Sequence, residues 1–373
     1  MGDGELCEVI PKSMRNEVIE KLLSLGKVGG WEIGRPVAES LGKLKNIIPQ
    51  SMGKSVIESL LKLSRDSDWG VRRPGAWSLG ELKPVIPKDM NLEVLKQLLV
   101  LSEDYVSEVR GRAILSIGKL ESIIPDDMSK KVIDRTLYLS RDPDWMVRRP
   151  AAETLGKLKN ITPKDMGTDV LKRVIELTED SEWGVRQKSI ISIGLLSDII
   201  PGDKVGEITG KLLALTDDPN EIIKLASVQA IRRLGERIEK DKIDVVLERL
   251  IALSFDLNWL IRRSCALAIG ELKNIPENLK TDAVERIINL CDDKDWSVRD
   301  ASARALGSMS SVISKPLAEN VINKLLELTW DFDPSVRDSA SRSLIRLKSI
   351  IPKAPIEEVN DLLKDQHEHS KTG

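Results

Sequence analysis

Leu63-Ser64-Arg65-Asp66-Ser67-Asp68-Trp69-Gly70-Val71-Arg72-Arg73-Pro74 is the stretch from which the fold is read. It returns at 139–150 as LSRDPDWMVRRP, at 177–188 as LTEDSEWGVRQK and at 253–264 as LSFDLNWLIRRS. Trp31, Trp69, Trp145, Trp183, Trp259 and Trp296 are separated by 38, 76, 38, 76 and 37 residues, so the unit is 38 residues with one deletion. A period of this size marks a solenoid of stacked supersecondary units, each too small to bury its apolar face alone.

Outward from the quoted stretch, each unit reads as helix, turn, helix and a proline-marked loop. Val56, Ile57, Leu60, Leu61 and Leu63 form an apolar stripe at helical spacing. Asp66-Ser67-Asp68 forms the turn, with Asp68 placed to cap the second helix at its amino end. Val71, Gly75, Leu79 and Leu82 then give that helix its inner face. Ile10-Pro11, Ile48-Pro49, Ile86-Pro87, Ile124-Pro125, Thr162-Pro163 and Ile200-Pro201 mark the exits. Proline there stops one helix and starts the next, having no donor and a fixed φ. Met14, Met52, Met90, Met128 and Met166 follow three residues later and are expected to pack under the loops.

The pattern predicts nine helix pairs over residues 9–352, with second helices near 31–46, 70–83, 108–121, 146–159, 184–197, 222–236, 260–273, 297–311 and 335–348. The sixth unit loses both its tryptophan and its glycine. A closing helix is expected at 354–365 and a frayed tail at 366–373. The whole chain, 1–373, is thus expected to be one solenoid, whatever its length.

Composition limits the function classes. A formal net charge of -2 argues against a general nucleic-acid binder. Three cysteines, Cys7, Cys265 and Cys291, make no disulfide framework and point to a reducing compartment. No apolar run reaches the roughly 20 residues that span a bilayer. The first residues, MGDGELCEVIPKSM, lack the features of a signal peptide, so a soluble cytoplasmic protein is expected.

A second regularity is an acid and a base six residues apart. The pairs are Asp66/Arg72, Asp104/Arg110, Asp142/Arg148, Asp180/Arg186, Asp218/Lys224, Asp256/Arg262, Asp293/Arg299 and Asp331/Arg337. With the trailing pattern Ala151-Ala152-Glu153-Thr154-Leu155-Gly156, these units resemble the HEAT repeat, in the flavour known from phycobilisome lyases. The resemblance implies an all-α superhelix, a right-handed solenoid of nine helix pairs plus the closing helix. It also implies that these acids and bases bond between neighbouring units as a ladder. The first unit departs, with Val28 and Gly34 in those places, as suits a capping repeat.

Chemistry finds little footing. Both histidines, His367 and His369, lie in the tail, so imidazole-based metal or acid–base sites are not expected in the repeats. The His-Glu pairs with which deoxyhypusine hydroxylases, HEAT-like enzymes, hold di-iron are missing from them. Asp66 and Asp68 could suggest calcium, but an EF-hand loop begun at Asp66 would place Val71 and Trp77 where glycine and glutamate are required. Alkylpurine DNA glycosylases also carry Trp-x-x-Arg on HEAT-like helices, yet a tryptophan repeated in register reads as packing. Cys265 and Cys291 occupy small-residue columns and are read as inert.

One column breaks regularity. On a helical wheel Arg73 and Trp77 fall opposite the core stripe of the second helix. By resemblance, second helices line a concave face. Along the array the first position reads Arg35, Arg73, Gly111, Arg149, Gln187, Leu225, Arg263, Asp300 and Asp338. The second reads Glu39, Trp77, Leu115, Glu153, Ile191, Gln229, Leu267, Arg304 and Arg342. Arginines beside Trp77, Leu115, Ile191, Leu225 and Leu267 suggest a partner groove; burial between repeats is the other reading. Pro36, Pro74 and Pro150 follow the arginine and are expected to kink the helix. The expected function is a non-enzymatic scaffold that needs no cofactor and holds a protein or peptide on the concave face. The contact residues would be Arg35, Arg73, Trp77, Leu115, Arg149, Glu153, Ile191, Leu225, Arg263 and Leu267. A DNA-repair module and a lyase-like cofactor chaperone are the alternatives.

Overall fold

A computed structural model describes residues 10–348. Among them there are eighteen α-helices and no strand, in nine helix pairs. The proposed closing helix, the tail with both histidines, and Cys7 lie outside the described residues. Backbone contacts divide the chain into two compact units, Met1–Leu196 and Ser197–Gly373. The fold class is an all-α superhelix of the HEAT type, as expected from the repeat.

In the first unit the pairs are α1 (Arg15–Val28) with α2 (Trp31–Lys43), α3 (Gly53–Leu63) with α4 (Trp69–Glu81), and α5 (Asn91–Leu101) with α6 (Ser107–Lys119). They continue with α7 (Asp126–Leu139) and α8 (Trp145–Lys157), then α9 (Gly167–Glu176) and α10 (Trp183–Leu195). The second unit holds α11 (Gly202–Leu215) with α12 (Glu221–Leu234), and α13 (Ile243–Leu253) with α14 (Trp259–Glu271). Its last pairs are α15 (Glu277–Leu290) with α16 (Trp296–Ser308), and α17 (Lys315–Leu328) with α18 (Pro334–Leu347).

The local chemistry follows the repeat. The Asp68 carboxylate accepts from the Gly70 amide at 2.6 Å, and Asp144, Asn220, Asn258, Asp295 and Asp333 cap their helices in the same way. Each such bond satisfies one of the orphan amides of a helix start. Pro36, Pro74 and Pro150 are carried inside continuous helices. The second helices stop one to three residues short of the expected ends, several closing in a 3-10 turn such as Lys83–Val85. Met90 and Met166 are buried under their loops, whereas Met14 is exposed.

Within each unit, neighbouring second helices pack closely and neighbouring first helices meet far less. Glycine sets that spacing. A methyl added at Gly156 would lie 2.7 Å from Ser192 Cα, and one at Gly270 would lie 2.6 Å from Ala305 Cα. Where the sixth unit carries Arg232 in the glycine column, α12 and α14 pack less closely, and Arg232 reaches Glu271 through two hydrogen bonds of 2.6 and 2.9 Å. Serine and threonine hydroxyls seal the close contacts: Ser78, Ser192 and Ser343 each donate to a carbonyl 40 residues back, at 2.7–2.8 Å.

The acid–base ladder forms with a defined direction. Arg72 donates to the carbonyls of its own turn, Asp66 and Ser67, and through Nε and Nη2 to Asp104 of the next repeat at 2.6 and 3.0 Å. Arg110–Asp142 and Arg148–Asp180 repeat it, and in the second unit Arg262–Asp293 and Arg299–Asp331 do likewise, while Lys224 makes a single bond of 3.2 Å to Asp256. Bidentate geometry of this kind makes the strongest side-chain pairs. Burial would raise the carboxyls of Asp180 and Asp293, but the arginine and a backbone amide two residues on hold both below the usual range.

A second ladder runs beside it. Arg135 Nε donates to Ser102 Oγ at 2.9 Å, Arg173 to Ser140 at 2.9 Å, Arg249 to Thr216 at 2.6 Å and Arg286 to Ser254 at 2.6 Å. Each of these bonds ties a first helix to the carboxyl end of the preceding one. Cys291 interrupts the hydroxyl column, and Lys324, the base of that rung, turns instead to Asp292 at 3.0 Å. Burial pushes the Cys265 and Cys291 thiols well up, so neither offers a thiolate.

Candidate partner-binding face

The second helices carry the residues singled out in the sequence, and the structure grades them. Trp77, Leu115, Ile191 and Leu225 are half-buried, and Leu267 is buried at 7% exposure. The apolar column is therefore wedged between successive second helices rather than fully open. Trp77 shows how: its ring sits where a side chain at Gly42 would be, with Cζ3 2.8 Å from the place of a Cβ there. The repeating tryptophans, read from the sequence as packing, are in fact 41–56% exposed. Each is the first residue of its helix.

Arg73, Leu115, Arg149 and Glu153 come together. With Glu108, Gly111, Arg112, Trp145, Met146 and Pro150 they line a cavity of about 340 Å3 across α4, α6 and α8. A neighbouring hollow shares Arg73 and Arg112 and adds Glu39, Lys43, Pro74 and Trp77. Gly111 lies at a close contact in the wall. It stands in the column that holds Arg73 and Arg149, and a side chain there would strike the Met146 carbonyl of α8.

The electrostatics of this cavity are unbalanced. Among the described residues Arg73, Arg112 and Arg149 make no hydrogen bond and no ion pair. Glu153 is held by Lys157 at 2.6 Å and Lys188 at 2.7 Å, which overcome burial and lower its carboxyl. Glu108 accepts from the Ser107 hydroxyl at 3.3 Å and has no basic partner within 4.0 Å. Burial, and then the charge of Arg73, pull the Arg112 guanidinium below its ordinary value. Partly desolvated cations without anions are costly, so the site is poised for one.

The other predicted residues stand apart from this cavity. Arg35 is exposed and pairs with Glu39 at 3.3 Å on its own helix. Ile191 lies on α10, Leu225 on α12 and Arg263 on α14, all half-buried. Leu267 borders a separate hollow of the second unit with Glu271, Arg304, Asp338, Arg342 and Arg346. There two of the three arginines are answered: Arg304 by Asp300 at 3.9 Å and Arg342 by Asp338 at 3.0 Å. Arg112 was missed in the sequence although a signal existed, since it interrupts the column of Pro36, Pro74 and Pro150.

Among the described residues no group of three His, Cys, Asp or Glu side chains could hold a metal ion, and no helix is long and apolar enough to cross a membrane. Comparison with known proteins speaks to the fold. No curated protein matches the chain. An engineered protein solved by a structural-genomics consortium is similar in structure, with a TM-score of 0.56 and 19% identity over 92% of this chain and 91% of that one. Importin beta is similar with a TM-score of 0.58 and 15% identity, over 92% of this chain but 47% of its own. The family model for HEAT repeats matches residues 92–194, 133–232 and 243–345. On that match and on nine stacked helix pairs, the chain belongs to the HEAT repeat family.

Proposed function

We propose that the protein is a non-catalytic scaffold or adaptor of the cytoplasm that holds a segment of a partner protein along its second-helix face, the face that is concave in HEAT solenoids. The observation that carries this reading is the cavity of α4, α6 and α8, where three arginines without partners stand beside Leu115, Met146 and Trp145. Interfaces concentrate such residues: arginine and aromatic anchors in partly desolvated hollows supply most of the binding energy. Trp77 and Ile191 extend the apolar lining on neighbouring second helices. A net charge of -2, with Asp300 and Asp338 entering the same column, disfavours a nucleic-acid track.

The test is Leu115→Glu and Ile191→Glu, each examined by melting and by partner pull-down. Stable variants that lose their partner support the groove, since a new unpaired charge in a desolvated contact costs binding about 2 kcal/mol or more. Variants that keep every partner would place the binding surface elsewhere.

A further inference from the structure

We propose that the cavity of α4, α6 and α8 is a phosphate-monoester site, which takes a phosphorylated side chain of the segment lying along the second-helix face. The inference rests on the scaffold reading above and names the chemistry that the partner must bring.

Three observations converge. Arg73, Arg112 and Arg149 reach one hollow from three successive repeats, and among the described residues none has a partner. Along the ladder the fold pairs its half-buried bases, whereas here three unanswered guanidiniums gather in one hollow, an arrangement that an external anion would satisfy. Gly111 stands in the column that holds Arg73 and Arg149, and it brings no side chain of its own into the hollow. The remaining wall is apolar, with Leu115, Met146 and Pro150 suited to the stem of a side chain.

A carboxylate would not answer the site as well as a phosphate. It has two oxygens and one charge, and one arginine fork satisfies it. A phosphate monoester carries about -1.5 to -2 at neutral pH and three terminal oxygens, enough for three forks. The cavity's own carboxylates do not balance the three arginines: Lys157 and Lys188 occupy Glu153, which leaves Glu108, bonded only to the Ser107 hydroxyl, as one negative charge against three positive ones. Duplex DNA would require basic side chains spread along the face. Here they gather in one cavity, on a chain of net charge -2.

The full chain is titrated with fluorescent degenerate peptide pools that differ only at the central residue: phosphoserine or phosphothreonine, glutamate, or serine. A labelled DNA duplex serves as a fourth probe. The phosphorylated pool is expected to bind best, and Arg73→Gln, Arg112→Gln and Arg149→Gln should each weaken it about tenfold, the loss of one charge-assisted contact. Arg342→Gln, an arginine already paired in the second unit, should bind as the parent does. If one variant fails to fold, the other two carry the comparison. A phosphorylated pool bound no better than the serine pool, or binding indifferent to all three substitutions, overturns the phosphate site. Loss of the cellular partner in Leu115→Glu would then still uphold the groove. Duplex DNA bound more tightly than the phosphorylated pool, and lost with Arg112, overturns it in favour of a nucleic-acid backbone.

Discussion

The second-helix faces of the two units are built on one scaffold and solve their charge in opposite ways. In the second unit the column that begins with Arg35 and Arg73 turns to Asp300 and Asp338, and each faces an arginine one turn on. In the first unit Arg73 and Trp77 hold those two places, and Arg149 stands before a glutamate already taken by two lysines. The hollow of the second unit largely neutralises itself, whereas that of the first keeps its cations waiting. Packing asks for the former; the latter makes sense only with something to bind.

Six substitutions would break or sharpen this contrast. The largest effect tests the shared scaffold. Gly156→Ala and Gly270→Ala should each cost about 3 kcal/mol by thermal or denaturant unfolding, because the methyl meets backbone of the next second helix. If one unit shrugs off the change, the two scaffolds are not equivalent.

Next comes the ladder, common to both units. Arg148→Ala and Arg299→Ala should each lose about 1–3 kcal/mol, leaving a partly buried carboxylate short of its partner. Acid adds a second readout. Asp180, Asp293 and Asp331 have carboxyls held below their unfolded values, so their stabilisation is complete above about pH 4 and is lost as pH falls through the lower folded values. In Arg148→Ala the Asp180 contribution is gone already, and the acid limb of a stability–pH curve should be shallower.

The smallest stability effects carry the contrast itself. Asp338→Asn, which breaks an exposed pair one turn apart, should cost no more than about 0.5 kcal/mol. Arg112→Gln should cost nothing, or raise the melting temperature slightly, because it removes a half-buried cation that has no partner. A marked loss there would mean that Arg112 serves the fold rather than a ligand.

What the sequence made legible was whatever repeats. Helix pairs, caps and the Asp-to-Arg ladder each recur at a fixed interval, and periodicity exposes them without knowledge of the third dimension. The second ladder was equally periodic: a basic or amide column at Gln97, Arg135, Arg173, Lys211, Arg249, Arg286 and Lys324 precedes a hydroxyl column by five residues. It was overlooked because each bond spans 32 or 33 residues and joins columns that do not neighbour each other in sequence. The exposure of Trp77 was not legible at all, since it depends on how closely two helices approach, which is decided by Gly42 one repeat away. The cavity arises where columns break, at Gly111 and Arg112 together, and a single departure carries no periodic signal.

The direction of the ladder has a consequence for how the molecule can change length. Every rung described joins a base, arginine or Lys224, to an aspartate 31 or 32 residues further on, so each repeat offers a plug to its successor and a socket to its predecessor. Such a head-to-tail joint has no built-in stopping number, unlike a two-fold contact that closes on itself. A duplicated or excised repeat within the run would find both of its joints ready-made, and the neighbours would re-engage without redesign. The cavity on α4, α6 and α8 has no such freedom: inserting one repeat between Arg73 and Arg149 would pull its cations apart while leaving the fold intact. Length is therefore a quantity the scaffold leaves open, and the binding hollow is what fixes it.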